Sequence, residues 1–246
     1  MQYSELHCIT NFTFLRGASH PHELVTMASN LGYRALAITD ECSLAGVVKA
    51  HVATFNRNIK LIIGSEFKID SHKVIVLVTN RNSYSKLSSL ITLARRRSKK
   101  GSYQIKWSDL KFNNDGLLII WLPCGDFKKD QLIISQLHDW FERRLWIGFH
   151  NLLNGTETSH LSYLQKLSLL WKVNVVACGD VHMHKKDRQP LQDVLTAIKQ
   201  KCSIMELGKS RYPNSERYLR KIEYLKNIYP EELMRETINT VSYTHL

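Results

Sequence analysis

The chain has 246 residues, 43% of them hydrophobic, enough for a sizeable core in one or two domains. Thirty-four Lys and Arg against 22 Asp and Glu leave a formal +12, which favours a polyanionic partner. The longest apolar runs fall far short of the ~20 residues a bilayer requires, the N-terminus has no secretory pattern, and five scattered cysteines without a Cys-x-x-Cys pair fit neither a disulfide framework nor a zinc finger; a cytoplasmic protein with no membrane partner is expected.

The first β-type run is residues 4–8. A helix follows, signalled by Pro21 in its first turn, by apolar Leu24, Val25, Ala28 and Leu31, and by Gly32 as its stop. Further β-type runs span 35–40, 60–67, 73–79, 116–122, 145–150 and 173–182, and helical patterns fill 45–55, 84–94, 127–141 and 161–171. Strands alternating with helices imply parallel pairing, because a parallel strand needs a crossover. The expected fold class is α/β, as a barrel or an open doubly wound sheet, in one domain over residues 1–190.

Beyond that, 189–201 reads as a further helix, 202–213 as a loop, 215–228 as a mixed basic segment, and Pro230 to Leu233 as the opening of another helix. The last six residues, 241–246, show no periodicity and are set apart as a tail outside the folded unit, its native origin left open. Positive charge concentrates in two places. Residues 81–111 carry nine basic residues against one acidic, centred on Arg95, Arg96, Arg97, Lys99 and Lys100; residues 185–227 carry eleven against five. The first block is the candidate nucleic-acid contact, through weak and salt-sensitive attraction to phosphates, although charge runs are usually solvated faces. Tyr84, Tyr103 and Trp107 lie among its cations, where stacking on an unpaired base is conceivable.

In a parallel α/β sheet the functional face is at the C-terminal ends of the strands. There the chain places His7, Asp40-Glu41, Glu66, His150, and Asp180 with His182. Imidazole with carboxylate is the donor set of zinc, manganese or iron, and such ions activate water and hold phosphate. Taken singly, each residue is as readily a helix cap or a loop-solvating group. Asp180-x-His182 is more specific, since side chains two apart share one side of an extended chain. His20, His22, His138, His160 and His245 read as surface residues, His51 as structural and Cys178 as buried packing.

These strand-end residues, in this order, resemble the polymerase and histidinol phosphatase (PHP) superfamily. The strings from Leu6 to Ser19, from Tyr33 to Val48, from Ile62 to Phe67, from Cys178 to His184 and from Leu191 to Ile198 look like the N-terminal region of the error-prone bacterial DNA polymerases of the C family. The resemblance implies a distorted seven-stranded barrel with a trinuclear metal site, followed by a basic helical extension (191–240) leading toward a palm domain. It implies translesion synthesis and damage-induced mutagenesis, with DNA, a sliding clamp and mutasome accessory proteins as partners. Polymerisation would use magnesium held by palm aspartates; ten Asp residues here include no Asp-x-Asp pair, so the chain is expected to be a fragment without that active site.

The metal pattern itself is eroded. Ile9 stands where the family has a second histidine, Asp40-Glu41 where it has Asp-His, and the cation Arg16 near another ligand position. His7, Glu66, Asp180 and His182 match ligand positions, with Asp40 and His150 as further candidates. The expectation is a degenerate, mostly structural barrel holding one divalent ion (Zn, Mn or Mg) rather than three. The alternative is a stand-alone metal-dependent phosphoesterase.

Overall fold

A computed structural model describes residues 2–112 and 114–243. Strand β1 (Ser4–Cys8) leads to α1 (Pro21–Asn30), whose first turn is tied by the His20 N–H donating to Glu23 Oε2 at 2.8 Å and whose exit is Gly32 at φ +75°. Then come β2 (Ala35–Ile38), α2 (Val47–Thr54), β3 (Lys60–Ile69) and β4 (His72–Val78). Helix α3 (Arg81–Arg96) is capped by Asn80, which accepts from the Ser83 N–H; α4 (Trp107–Phe112) and β5 (Leu117–Leu122) follow. Helix α5 (Phe127–Phe141) is capped by Asp126, and β6 (Leu145–His150), α6 (Glu157–Trp171) and β7 (Val175–Cys178) complete the alternation.

The seven strands pair in chain order. The two edges meet through the stretch after β7: the Ile9 N–H donates to the Val181 carbonyl and the Val181 N–H to the His7 carbonyl, both at 2.9 Å, nearly closing the sheet into a barrel. Parallel pairing throughout does not hold. Strand β4 runs antiparallel to both β3 and β5, because only Asp70 and Ser71 separate it from β3, and two residues can turn a hairpin but cannot make a crossover.

Period-two alternation divides the core. Leu6, Ala35, Ala37, Ile62, Ile75, Leu77, Leu118, Ile120, Trp146, Val176 and Cys178 come from all seven strands and form one buried cluster, which is the barrel interior. Intervening residues such as Val74, Val76, Ile119 and Ile147 belong to a larger cluster with the helices. Interior space is tight: a Cβ at Gly64 would lie 2.6 Å from Leu77, and one at Gly148 2.6 Å from Leu122. Burial on both faces explains why β5 is the unbroken apolar string Leu-Leu-Ile-Ile-Trp-Leu.

Past β7 lie α7 (Gln189–Gln200), α8 (Ile222–Ile228) and α9 (Glu231–Ser242). Residues 217–242, expected to lead away from a barrel ending near 190, pack back against it. Helix α9 packs on β1 and β7, and Tyr229 Oη donates to the Cys178 carbonyl at 2.7 Å while accepting from the Asn151 N–H at 3.0 Å. Helix α9 also runs into the stretch set apart as a tail, and Val241 joins the inner cluster. Residues 244–246, including His245, lie outside the described residues.

Candidate metal centre

Strand parity decides which side chains reach the rim. Glu66 continues the inward series Ile62, Gly64; His150 continues Trp146, Gly148; Asp180 continues Val176, Cys178. His7 is out of step with Leu6, but the β1–β2 register shifts between Glu5 and Cys8, and this irregularity turns its imidazole into the cluster. Asp180 sits at φ +45°, a left-handed conformation costly for a residue with a Cβ.

His7, Glu66 and Asp180 offer ligand atoms all within 4.8 Å of one another. His7 Nε2 donates to Glu66 Oε2 at 2.6 Å, and its Nδ1 lies 3.0 Å from His150 Nε2 and 3.6 Å from Asp180 Oδ1. His182 Nε2 lies 3.2 Å from Asp180 Oδ1, and its Nδ1 is buried without a protein partner. Five of the six expected ligands therefore converge. Asp40 does not: it is out of parity with Ala35 and Ala37, and it is consumed by the Thr10 N–H at 2.7 Å, the Thr10 hydroxyl and the Thr13 hydroxyl at 2.6 Å. That carboxylate folds the loop after β1.

The cluster also holds three cations. Arg16 grips Glu66 with Nη1 at 2.6 Å and Nη2 at 2.9 Å, and reaches Glu41 at 2.8 Å. Arg217 Nε donates to Asp180 Oδ2 at 3.0 Å. Lys73 Nζ lies 3.6 Å from Glu66 and 4.0 Å from Asp180. Lys73 and Arg217 were not singled out on sequence. Lys73 opens β4 and would stand at the far rim of an all-parallel sheet; the reversal of that strand brings it here.

Electrostatics follow from this balance. Burial alone would raise Glu66, but Arg16 and Lys73 overcome it and hold the carboxyl well below its ordinary range. Burial is likewise outweighed at Asp180, by Lys73, Arg217 and His182. Burial pushes His150 down and His182 down to about 3. Three fixed positive charges thus face three carboxylates, Glu66, Asp180 and Glu41, and the cluster is neutralised from within. A trinuclear centre does not fit this donor set, because a dication would sit beside a guanidinium forked onto its own ligand. One ion could be held by His7, Glu66 and Asp180 only with Arg16 displaced.

A second group of donors, His72, Cys124 and Asp130, also lies within 4.8 Å. Asp130 is saturated there by His72 Nε2 at 2.9 Å, the N–H groups of Cys124 and Gly125 at 2.9 Å, and Tyr163 Oη at 2.5 Å, which makes it a latch between α5, α6 and the barrel.

The basic run divides in two. Arg95 turns inward onto the carbonyls of Glu41 and Cys42, and Arg97 is paired with Asp109. Arg96, Lys99 and Lys100 are exposed, with no partner among the described residues. Tyr103 and Trp107 are engaged with Glu41 and Asp70, and Tyr84 packs on the core.

Residues 5–144 match the PHP domain family. The error-prone DNA polymerase of Saccharophagus degradans is 45% identical over 238 residues, 96% of this chain and 23% of that one. The error-prone DNA polymerase of Methylococcus capsulatus is 47% identical, across 96% and 22%. The chain therefore spans under a quarter of the length of these relatives. Among solved structures, a putative metal-dependent phosphoesterase from Bifidobacterium adolescentis superposes with a TM-score of 0.56 at 16% identity, over 74% of this chain and 88% of that one, a likeness of fold alone.

Proposed function

Since the chain belongs to the PHP domain family, we propose that it is the N-terminal accessory barrel of an error-prone DNA polymerase and hydrolyses no phosphoester itself. On this reading the complete polypeptide copies damaged templates by magnesium-dependent phosphoryl transfer in a palm domain that lies outside these 246 residues. Its partners are DNA, the sliding clamp and mutasome accessory proteins, and its place is the cytoplasm. The barrel contributes scaffold, and its exposed Arg96, Lys99 and Lys100 contribute sequence-independent attraction to the DNA backbone.

The observation that carries the reading is the Arg16 fork on Glu66. When a metal is bound at such a rim it activates water; here the fixed guanidinium holds the carboxylate that would hold the ion. His7 and His150 orient each other, and Asp180 anchors Arg217. The barrel holds at most one divalent ion, weakly. Titration with Mn²⁺ and Zn²⁺, together with turnover of a phosphodiester, tests this. Two or more tightly bound ions and a hydrolysis abolished by His7→Ala would replace the reading with a metallophosphoesterase.

A further inference from the structure

Helix α7 is packed the wrong way round for a domain that stands alone. It buries Gln192, Asp193, Thr196 and Ala197 and turns its larger apolar residues outward, with Leu191 39%, Val194 37% and Ile198 55% exposed. An amphipathic helix normally hides its apolar stripe. The buried side gains little in exchange. Both amide atoms of Gln192 lack a protein partner, the Thr196 hydroxyl merely returns to the Gln192 carbonyl, and Asp193 is held by Gln189 and Arg211. Beside the outward stripe, Phe14 is 80% exposed, and a groove of about 260 Å³ runs between Phe14, Leu15, Leu191 and Leu195, with Asn11, His20 and Arg188 at its margin. Loop and helix together form a largely apolar surface, of the kind monomers seldom leave bare.

We propose that this surface is the seat of the catalytic part of the same polymerase polypeptide, which covers it with an apolar segment. The proposal rests on the function proposed above. Three observations select the occupant. The surface is apolar, which fits a packed protein segment and not a phosphate backbone. Relatives matched over 96% of this chain are more than four times its length, so most of such a polypeptide is available to cover it. The stripe also lies beside the loop after β1, whereas Tyr243 at the end of α9 rests on Trp146 near the start of β6, at the opposite rim. A covering segment that follows α9 in the chain would fold back along the barrel and join it to the catalytic part at a second place.

Hydroxyl-radical footprinting read by mass spectrometry compares the 246-residue chain with the complete polypeptide. Phe14, Leu191 and Ile198 are expected to react several-fold more slowly in the complete, monomeric polypeptide. The double variant Leu191→Glu/Ile198→Glu is expected to leave the unfolding midpoint of the 246-residue chain unchanged, yet to speed proteolytic release of the barrel from the complete polypeptide several-fold. Equal reactivity in both forms, with the complete polypeptide active as a polymerase, overturns the docking surface and leaves the proposed function standing. Protection of the 246-residue chain that disappears on dilution assigns the surface to a second copy and also overturns it. A complete polypeptide without polymerase activity overturns the proposed function, whatever the footprint.

Discussion

The Arg16 guanidinium spans the Glu66 carboxylate with both terminal nitrogens, at 2.6 and 2.9 Å. Both groups are buried, so neither finds water if the other is removed. Arg16→Gln is expected to cost about 3–5 kcal/mol, the usual consequence of stranding one member of a buried pair. It also frees the carboxylate for a metal. Saturating Mn²⁺ should raise the melting temperature of Arg16→Gln by more than it raises that of the parent, as differential scanning fluorimetry will read. An equal response in both would mean that Arg16 does not occupy the place of an ion.

A second buried carboxylate gives the pH dependence. Burial alone would raise Asp130, but His72, Tyr163 and the Cys124 N–H outweigh it and bring its pKa to about 2. The folded form therefore binds this proton less readily than the unfolded chain, where an aspartate titrates near ~3.9. The stabilisation is complete above about pH 4 and is lost as the pH falls toward the folded value, on the order of 2 kcal/mol in all. Asp130→Asn should be less stable than the parent at neutral pH, and the gap should narrow on acidification through that window. Urea midpoints across the range will show it; a gap that stays constant would refute the linkage.

How legible the rim was depended on strand direction and parity. The ends of β1, β3, β6 and β7 carried the clustered residues openly, and the β1 and β6 boundaries agree with the apolar runs at 4–8 and 145–150. Asp40 stands off the cluster for a reason already latent in the chain, since residues 35 and 37 face inward and residue 40 is out of step with them. Lys73 was hidden by the assumption of parallel pairing, although the two-residue spacing before β4 forbids a crossover. Arg217 had no local signal at all; its pairing with Asp180 crosses 37 residues and depends on how the later segments return to the barrel.

The basic run makes a quantitative distinction within one stretch of sequence. Arg96, Lys99 and Lys100 are free to meet phosphates, whereas Arg95 and Arg97 are spent on the fold. Changing the three exposed residues to alanine should flatten the dependence of log affinity on log salt for single-stranded DNA by about 2, at ~0.7 per phosphate contact. Arg97→Ala should leave that slope alone and lower the melting temperature instead. A triple variant whose salt slope matches the parent's would remove this patch from the DNA interface.

Tyr229 tests whether the chain after residue 190 belongs to the barrel. Its hydroxyl donates to the Cys178 carbonyl at the end of β7 and accepts from the Asn151 N–H just past β6, with Arg220 Nη2 at 3.3 Å. Phenylalanine keeps the ring and its edge contact with Phe149 but strands these buried polar groups. Each unmet group costs roughly 1–3 kcal/mol, so Tyr229→Phe should lower the free energy of unfolding by at least about 2 kcal/mol, with an unchanged dependence on denaturant. Ending the chain at residue 190 removes α9 together with this latch and bares the edges of β1 and β7, so that shorter chain is expected to lack a cooperative transition. If it unfolds as sharply as the parent, the segments after residue 190 are appended to the barrel and are not part of it.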